Sequence, residues 1–255
     1  MSERPRDRPF DDVRRALDDT TSEDLGRQPP VIRGDPERRR RTGTPEIVYG
    51  AGKSPRQVVS ALVQLAERAG RAIASRCDPA TLAAVKRLRD DDWLIEVDET
   101  SGVAVIARDA ASLPTPVGLV GIIAAGTSDL RVAREIELVT REIGCASRLI
   151  VDVGVAGLHR LIRPLEDLVR ERVDVLVIVA GMDGALPSVV AGLVRVPVIG
   201  VPTSTGYGFG GDGTAALMTM LQSCAPGLTV VNIDNGVGAA IAAARIVHLV
   251  HWTND

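Results

Sequence analysis

From about residue 117 onward the chain alternates between short apolar runs and longer stretches in which apolar residues recur every three or four positions. The runs fall at 117–124, 148–153, 174–180, 196–201 and 228–233, with periodic stretches near 128–143, 156–171, 185–195, 212–223 and 237–250 between them. Apolar runs of that length, unbroken by polar alternation, predict strands buried on both faces. Amphipathic segments between them predict helices that make right-handed βαβ crossovers. The expected architecture is α/β, a three-layer doubly wound parallel sheet of about five strands. Upstream the texture changes. Residues 46–49 read as a short strand and 50–54 as a turn. Ser54 then caps a helix whose first position is Pro55. That helix is predicted over roughly 55–74, with Val58, Val59, Leu62, Leu65 and Ala66 on one face. A second helix is predicted at 78–89, and a hairpin pairs 93–97 with 103–108. The chain thus divides into a polar, arginine-rich arm (1–44), a small α+β domain (45–114) and the α/β domain (115–255).

The arm holds one amphipathic piece around Phe10, Val13 and Leu17 and the run Arg38-Arg39-Arg40-Arg41. It is expected to be solvated and partly mobile. The alternative is that some of its arginines reach phosphate in a neighbouring subunit's site, which a planar guanidinium suits.

Composition narrows the function classes. Hydrophobic residues make up 45% of the chain and aromatics only 2%, so the core is Val, Ile, Leu and Ala, as closely packed βα layers require. A net charge of −3 gives no electrostatic reason to expect nucleic acid as a partner. Cys77, Cys145 and Cys224 form neither a disulfide framework nor a metal-ligand pattern. No run approaches the ~18–20 apolar residues of a membrane span. The opening MSERPRDRPF has no apolar core of the kind a secretion signal needs, so a reducing cytoplasm is the expected compartment.

In a doubly wound sheet, ligands bind beyond the carboxyl ends of the strands. The five loops there, 124–129, 152–157, 180–187, 202–213 and 232–236, each combine glycine with an acid or a hydroxyl. The richest carries Gly206, Gly208, Gly210, Gly211 and Gly213. So little side chain lets a phosphate lie against backbone N–H groups, and the helix that follows adds the positive end of its dipole. One helix further on, Cys224 in Ser-Cys-Ala-Pro-Gly is a candidate nucleophile; a buried structural thiol is the competing reading. Thr127, Ser128, Asp129 and Asp183 are ligand candidates that could equally cap helices. His248 and His251 read as surface residues, and Cys77 and Cys145 as structural. The string GAGKS at 50–54 is not a P-loop, which needs four residues between Gly and Gly-Lys where this chain has one.

These motifs resemble a known family. GTSDLRVA after the first strand, GMDGALPSVVAG after the third and the PTSTGYG loop look like the PurE fold of the aminoimidazole-ribonucleotide carboxylases. The closer likeness is to the LarB family, the pyridinium-3,5-biscarboxylic acid mononucleotide synthases of nickel-pincer cofactor biosynthesis. It rests on RTGTPEIVYGAGKSPRQ at 41–57, DVGVAGLHR at 152–160, AGMDGALPSVV at 180–190 and QSCAPGLTVVNIDNGVGAA at 222–240, and spans about residues 35–250. The resemblance implies carboxylation of nicotinic acid adenine dinucleotide at ring carbon C5 by CO2 or bicarbonate, with hydrolysis of the phosphoanhydride to AMP. It implies that Cys224 adds to the ring at C4 and reverses its polarity. Asp183 is the first choice for proton handling or an Mg2+ contact, and His159 is a further catalytic candidate. Implied substrate contacts are Gly126, Thr127, Ser128, Asp129, Asp152, Gly181, Met182, Gly184, Ser204, Gly206, Tyr207, Gly208, Asp234 and Asn235. Lys53 and Arg41 would add phosphate or carboxylate contacts. Mg2+ near Asp183 or at the substrate phosphates is the metal the resemblance allows, with no tightly bound organic cofactor. The expected partner is a second copy of the chain in a closed homo-oligomer, an octamer in PurE-like folds, with the small-residue helix at 237–250 buried between subunits. The runner-up activities are a PurE-type carboxylase or mutase and a non-catalytic nucleotide-binding module.

Overall fold

The computed structural model describes residues 32–88 and 93–251, so the piece around Phe10 and most of the arm lie outside it. The described part of the arm enters through a short helix, α1 (Arg38–Thr42). Its Arg39 Nη2 donates to the Glu142 carbonyl at 2.5 Å. The helix therefore docks on the rest of the chain.

A first sheet follows, made of β1 (Ile47–Tyr49), β2 (Arg71–Ser75), β3 (Leu94–Asp98) and β4 (Val103–Ala107) in the order β1-β2-β4-β3. β1 runs parallel to β2, and the other pairs are antiparallel. Between β1 and β2 runs α2 (Pro55–Ala69), started by a capping box in which Ser54 and Gln57 satisfy each other's backbone N–H. The helix stops at Ala69 because Gly70 takes a left-handed φ of 78° and its N–H closes on Ala66. The expected helix to 74 is thus corrected, since Arg71–Ser75 is a strand. Helix α3 (Pro79–Lys86) is capped by Asp78, and β3 and β4 form the expected hairpin.

The second sheet has the predicted form. β5 (Leu119–Ala124), β6 (Ala146–Val151), β7 (Val175–Ala180), β8 (Val198–Pro202) and β9 (Leu228–Val230) are all parallel in the order β6-β5-β7-β8-β9. Helices α4 (Leu130–Ile143) and α8 (Gly236–Val250) cover one face. The other carries α5 (His159–Arg170), α6 (Leu186–Ala191) and α7 (Thr214–Leu221). On α8 the alanine face (Ala239, Ala240, Ala243 and Ala244) is buried against α4 and the sheet of its own chain. The small residues read as a subunit contact are therefore already used inside one copy.

Helix α4 lies between the two sheets. Val132, Ala133, Ile136 and Val139 share one core with Val120, Ile122 and Val177 of the second sheet and with Ile73, Val103 and Val105 of the first. Toward the first sheet α4 also presents two buried acids. Glu142 takes Arg71 Nε at 2.8 Å and Nη2 at 3.1 Å, and Glu135 accepts from Ser75 Oγ. Removing one partner of such a buried pair costs about 3–5 kcal/mol, so these contacts fix how the first sheet sits. The start of β2 is level with the carboxyl-terminal end of α4, and Ser75 and Arg76 reach its first turns. The ends of β1 and β2 therefore open on the same side as the carboxyl edge of the second sheet.

Candidate active site at the strand ends

The loops at the carboxyl edge are tied together by a buried carboxylate. Asp129, 4% exposed, accepts from Thr203 Oγ1 at 2.6 Å and Gly126 N at 3.0 Å, and also from the N–H of Gly181. Burial pushes its pKa up, against the pull of those three donors. One side chain thus joins the loops after β5, β7 and β8. Asp129 was expected to touch substrate; its oxygens are instead turned inward, and it positions the loops that would. Thr203 was absent from the sequence-based set, because a threonine after a strand carries no signal of its own.

A second tie is Asp234. Its carboxylate accepts from Ser204 N at 3.0 Å and Ser204 Oγ at 2.7 Å, and lies 3.3 Å from Arg131 of α4. Asp152, Met182 and Asp234 all hold φ between 52° and 64°, each just beyond a strand of this sheet. Left-handed backbone at non-glycine residues costs of order 1–3 kcal/mol and persists where its surroundings over-determine it, commonly at functional sites. The loops are also closely nested. A Cβ at Gly181 would sit 2.2 Å from the Thr205 carbonyl, and one at Gly213, where φ is 88°, would sit 2.7 Å from the Thr203 carbonyl. Glycine is a packing requirement at both positions.

Over this platform the glycine loop carries the most exposed aromatics among the described residues. Phe209 is fully exposed and Tyr207 is 80% exposed, with Met182 half-exposed beside the loop. The whole chain has only two Phe and two Tyr, so placing one of each here leaves a solvated apolar rim around the site. Gly206, Gly208 and Ser204 are in the same loop, and the Ser204 hydroxyl is already committed to Asp234.

The remaining candidates sort into two groups. Thr127 and Ser128 are exposed at the amino end of α4, where free backbone N–H groups and the helix dipole favour an anion. Asp183 is exposed in the tight turn closed by Gly184 N on the Gly181 carbonyl, and its Oδ1 accepts from Ala185 N at 3.3 Å. Asp152 is exposed and pairs with Arg160 at 2.8 Å, and His159 is exposed at the first position of α5. Asn235 caps α8 through Gly238 N. Lys53 stands at the end of β1 on the same side of the molecule, its Nζ donating to the Tyr49 carbonyl at 2.7 Å.

Two predicted residues fall elsewhere. Arg41 is paired with Asp35 beside α1, near the start of β1 and so toward the amino edge, away from the strand-end loops. Cys224 is exposed, so the sealed-thiol reading fails, yet it too lies toward the amino edge. α7 leads back from the glycine loop, and β9 begins opposite Val198, the first residue of β8. β8 spans five residues, roughly 16 Å at the rise of a strand, so within one copy the sulfur and the glycine loop sit at opposite ends of the sheet. The turn is ordered by Ser223 Oγ, which accepts from Ala225 N. Cys77 and Cys145 are buried, as expected, and burial pushes both thiols up to about 11. Among the described residues no group of three or more His, Cys, Asp or Glu is placed to hold a metal ion. Likewise, among the described residues no helix is long and apolar enough to cross a membrane.

Besides Thr203, three residues beside this edge lie outside the sequence-based set: Glu135, Arg76 and Arg131. Glu135 is 2% exposed, and burial raises its pKa despite Ser75, Arg76, Arg131 and the Gly236 N–H nearby. Arg76 and Arg131 flank it. Glu135 is the sixth residue of α4, and its neighbours come from three places: the end of β2 (Ser75 and Arg76), the first turn of α4 (Arg131) and the start of α8 (Gly236).

Comparison with known proteins divides the chain where the two sheets divide it. Residues 23–108 match the LarB/PurE-like N-terminal domain, and residues 119–253 match the AIR carboxylase family. An uncharacterized protein of Methanocaldococcus jannaschii is 40% identical over 224 residues, covering 85% of this chain and 84% of its own. The N5-carboxyaminoimidazole ribonucleotide mutase of the same organism is 36% identical over 134 residues, 51% of this chain and 80% of the mutase. A solved structure of Treponema denticola PurE2 aligns with 53% of this chain and 82% of its own, at 25% identity and a TM-score of 0.41.

Proposed function

Because the chain belongs to the AIR carboxylase family and carries a LarB/PurE-like N-terminal domain, we propose that it carboxylates the pyridinium ring of nicotinic acid adenine dinucleotide at C5. Hydrolysis of the phosphoanhydride in the same protein would release AMP and the dicarboxylated mononucleotide. The observation that carries this reading is Cys224, the one exposed thiol among three cysteines, held in a Ser-Cys-Ala-Pro-Gly turn.

A cationic pyridinium ring is too electron-poor to attack CO2. Thiolate addition forms a C–S bond at C4 and leaves a dihydropyridine whose C5 is an enamine carbon. C5 then forms a C–C bond to CO2, a base takes the C5 proton, and the returning electron pair expels the thiolate and restores aromaticity. The balance is a ring C–H exchanged for a ring carboxylate with one proton released. No oxidant is consumed and the cysteine is regenerated. Asp183, exposed in the loop after β7, and His159, exposed at the start of α5 after β6, are the proposed proton acceptors. Thr127 and Ser128 at the amino end of α4, with the glycine loop, would hold the phosphate and ribose of the nicotinate half.

The reaction needs two copies of the chain. Cys224 and the strand-end loops sit at opposite edges of one sheet, so the thiol of one copy must meet the loops of another. Leu193, Met218 and Leu221, all more than half exposed near the Cys224 turn, supply apolar surface for such a contact. Incubation with the dinucleotide and 13C-bicarbonate should give AMP and a mononucleotide heavier by one labelled carboxylate. Absence of both products would overturn the proposal.

A second reading is a PurE-type mutase acting on N5-carboxyaminoimidazole ribonucleotide, supported by the mutase relatives of the second half of the chain. It needs no thiol, so it predicts an activity that Cys224→Ala leaves intact.

A further inference from the structure

A cleft of about 480 Å³ opens between the first sheet and α4, beside the strand-end loops. Its walls are the turn Gly50-Ala51-Gly52-Lys53, the turn Arg76-Cys77-Asp78, the hairpin tip from Glu99 to Gly102, and Arg131. That volume is in the range of small-molecule sites. Three cations line it: Lys53, Arg76 and Arg131. Both acids on its walls are already engaged, since Glu99 pairs with Lys86 and Asp78 Oδ1 accepts from Thr81 N at 2.7 Å as the cap of α3.

Two further acids, Asp234 and Glu135, are not on the wall but bear on the guanidiniums from the side. Arg76 donates to the main-chain carbonyl of Asp234, and Arg131 lies 3.3 Å from the Asp234 carboxylate. Arg76 itself is held at φ 55°, so the chain keeps a strained backbone where glycine would be at ease, and keeps arginine there. Because Asp234 also binds Ser204 N and Oγ, one residue joins the cleft wall to the loop over the sheet. The cleft therefore abuts the strand-end site.

We propose that Lys53, Arg76 and Arg131 form a phosphate subsite for the second half of a two-part substrate, the adenylate of a dinucleotide, with its other half in the strand-end loops. The identity of the ligand rests on the dinucleotide reading above; the cation cleft does not. On this account the first sheet exists to hold the half of the substrate that a mononucleotide lacks. A planar guanidinium gives two parallel hydrogen bonds to phosphate oxygens, and Lys53 adds a point charge.

The test is calorimetric titration of the full-length protein with 5′-AMP, nicotinic acid mononucleotide and inorganic phosphate. AMP should bind, and phosphate should compete with it. Loss of one charge-assisted contact corresponds to a weakening of AMP binding by about tenfold or more. Arg76→Gly and Lys53→Ala should each show it while mononucleotide binding stays within about twofold. Arg76→Gly suits the left-handed backbone and Lys53 is exposed, so both variants keep the fold, which an unchanged melting temperature verifies. AMP affinity unmoved by both variants, or AMP and mononucleotide weakened together, overturns the subsite. If wild-type protein carboxylates nothing yet AMP binding still depends on Arg76, the proposed reaction falls and the subsite stands.

Discussion

Replacing Thr203 by valine tests the idea that Asp129 holds the strand-end loops together. The change is nearly isosteric, so it leaves little cavity and removes chiefly the 2.6 Å hydrogen bond from Thr203 Oγ1 to Asp129. Both residues are buried, Thr203 at 1% and Asp129 at 4% exposure, so water does not replace the lost donor. A hydrogen bond to a buried charged group contributes about 1.5–3 kcal/mol, which for a chain of this size lowers the melting temperature by roughly 3–10 °C. The pH dependence has a definite sign. The folded pKa of Asp129 is raised, so its contribution favours the fold below the unfolded carboxyl range and is lost as pH rises through the folded value. Without the Thr203 donor the folded value climbs further, so the deficit of Thr203→Val should widen from about pH 4 toward pH 7. Thermal melts of Thr203→Val, Asp129→Asn and the double variant, at fixed protein concentration, would give a coupling of about 1–2 kcal/mol at pH 7. A Thr203→Val protein within about 0.5 kcal/mol of wild type at pH 7, or no coupling to Asp129→Asn, would refute the tie.

Three further outcomes follow from named contacts. Gly181→Ala places a Cβ 2.2 Å from the Thr205 carbonyl, and overpacking of that kind costs about 1–3 kcal/mol, so both melting temperature and any turnover should drop; unchanged values for both would show that the loops are not nested as described. Iodoacetamide at pH 8 should label one cysteine per chain, because Cys77 and Cys145 are buried with thiols pushed up to about 11 while Cys224 is exposed; peptide mapping that finds the label on Cys145 contradicts the fold. Mixing a Cys224→Ala chain with a chain carrying Arg76→Gly in one oligomer should restore part of the carboxylation that each loses alone, since the proposed site takes its thiol from one copy and its strand-end loops and cation cleft from another. Failure to recover activity in mixed oligomers of verified composition counts against the two-copy site.

The second sheet was legible because its strands are unbroken apolar runs, such as VLVIVA in β7, which only burial on both faces explains. The glycine loop and its neighbours were legible for the same topological reason: a parallel sheet collects its post-strand loops at one edge. β2 was not. RAIAS follows α2 with a single glycine between, and its small, apolar residues continue the helical pattern unless Gly70 is read as a left-handed stop. Missing that strand hid Arg76, and with it the cleft. Asp129 and Thr203 were hidden differently, since a carboxylate that binds a ligand and one that ties loops look alike until its oxygens are traced. Cys224 exposes the limit of reading along the chain. Its distance in sequence from the glycine loop is one helix, and a helix antiparallel to the strands carries it to the far edge.

The measurement that bears most directly on the central claim is the fate of labelled carbon in Cys224→Ala. The substitution is at an exposed turn, so stability should stay within about 0.5 kcal/mol of wild type. With nicotinic acid adenine dinucleotide and 13C-bicarbonate, the account predicts a labelled dicarboxylated product from the wild-type protein and none from the variant. Label appearing in the product of Cys224→Ala at the wild-type rate would contradict it.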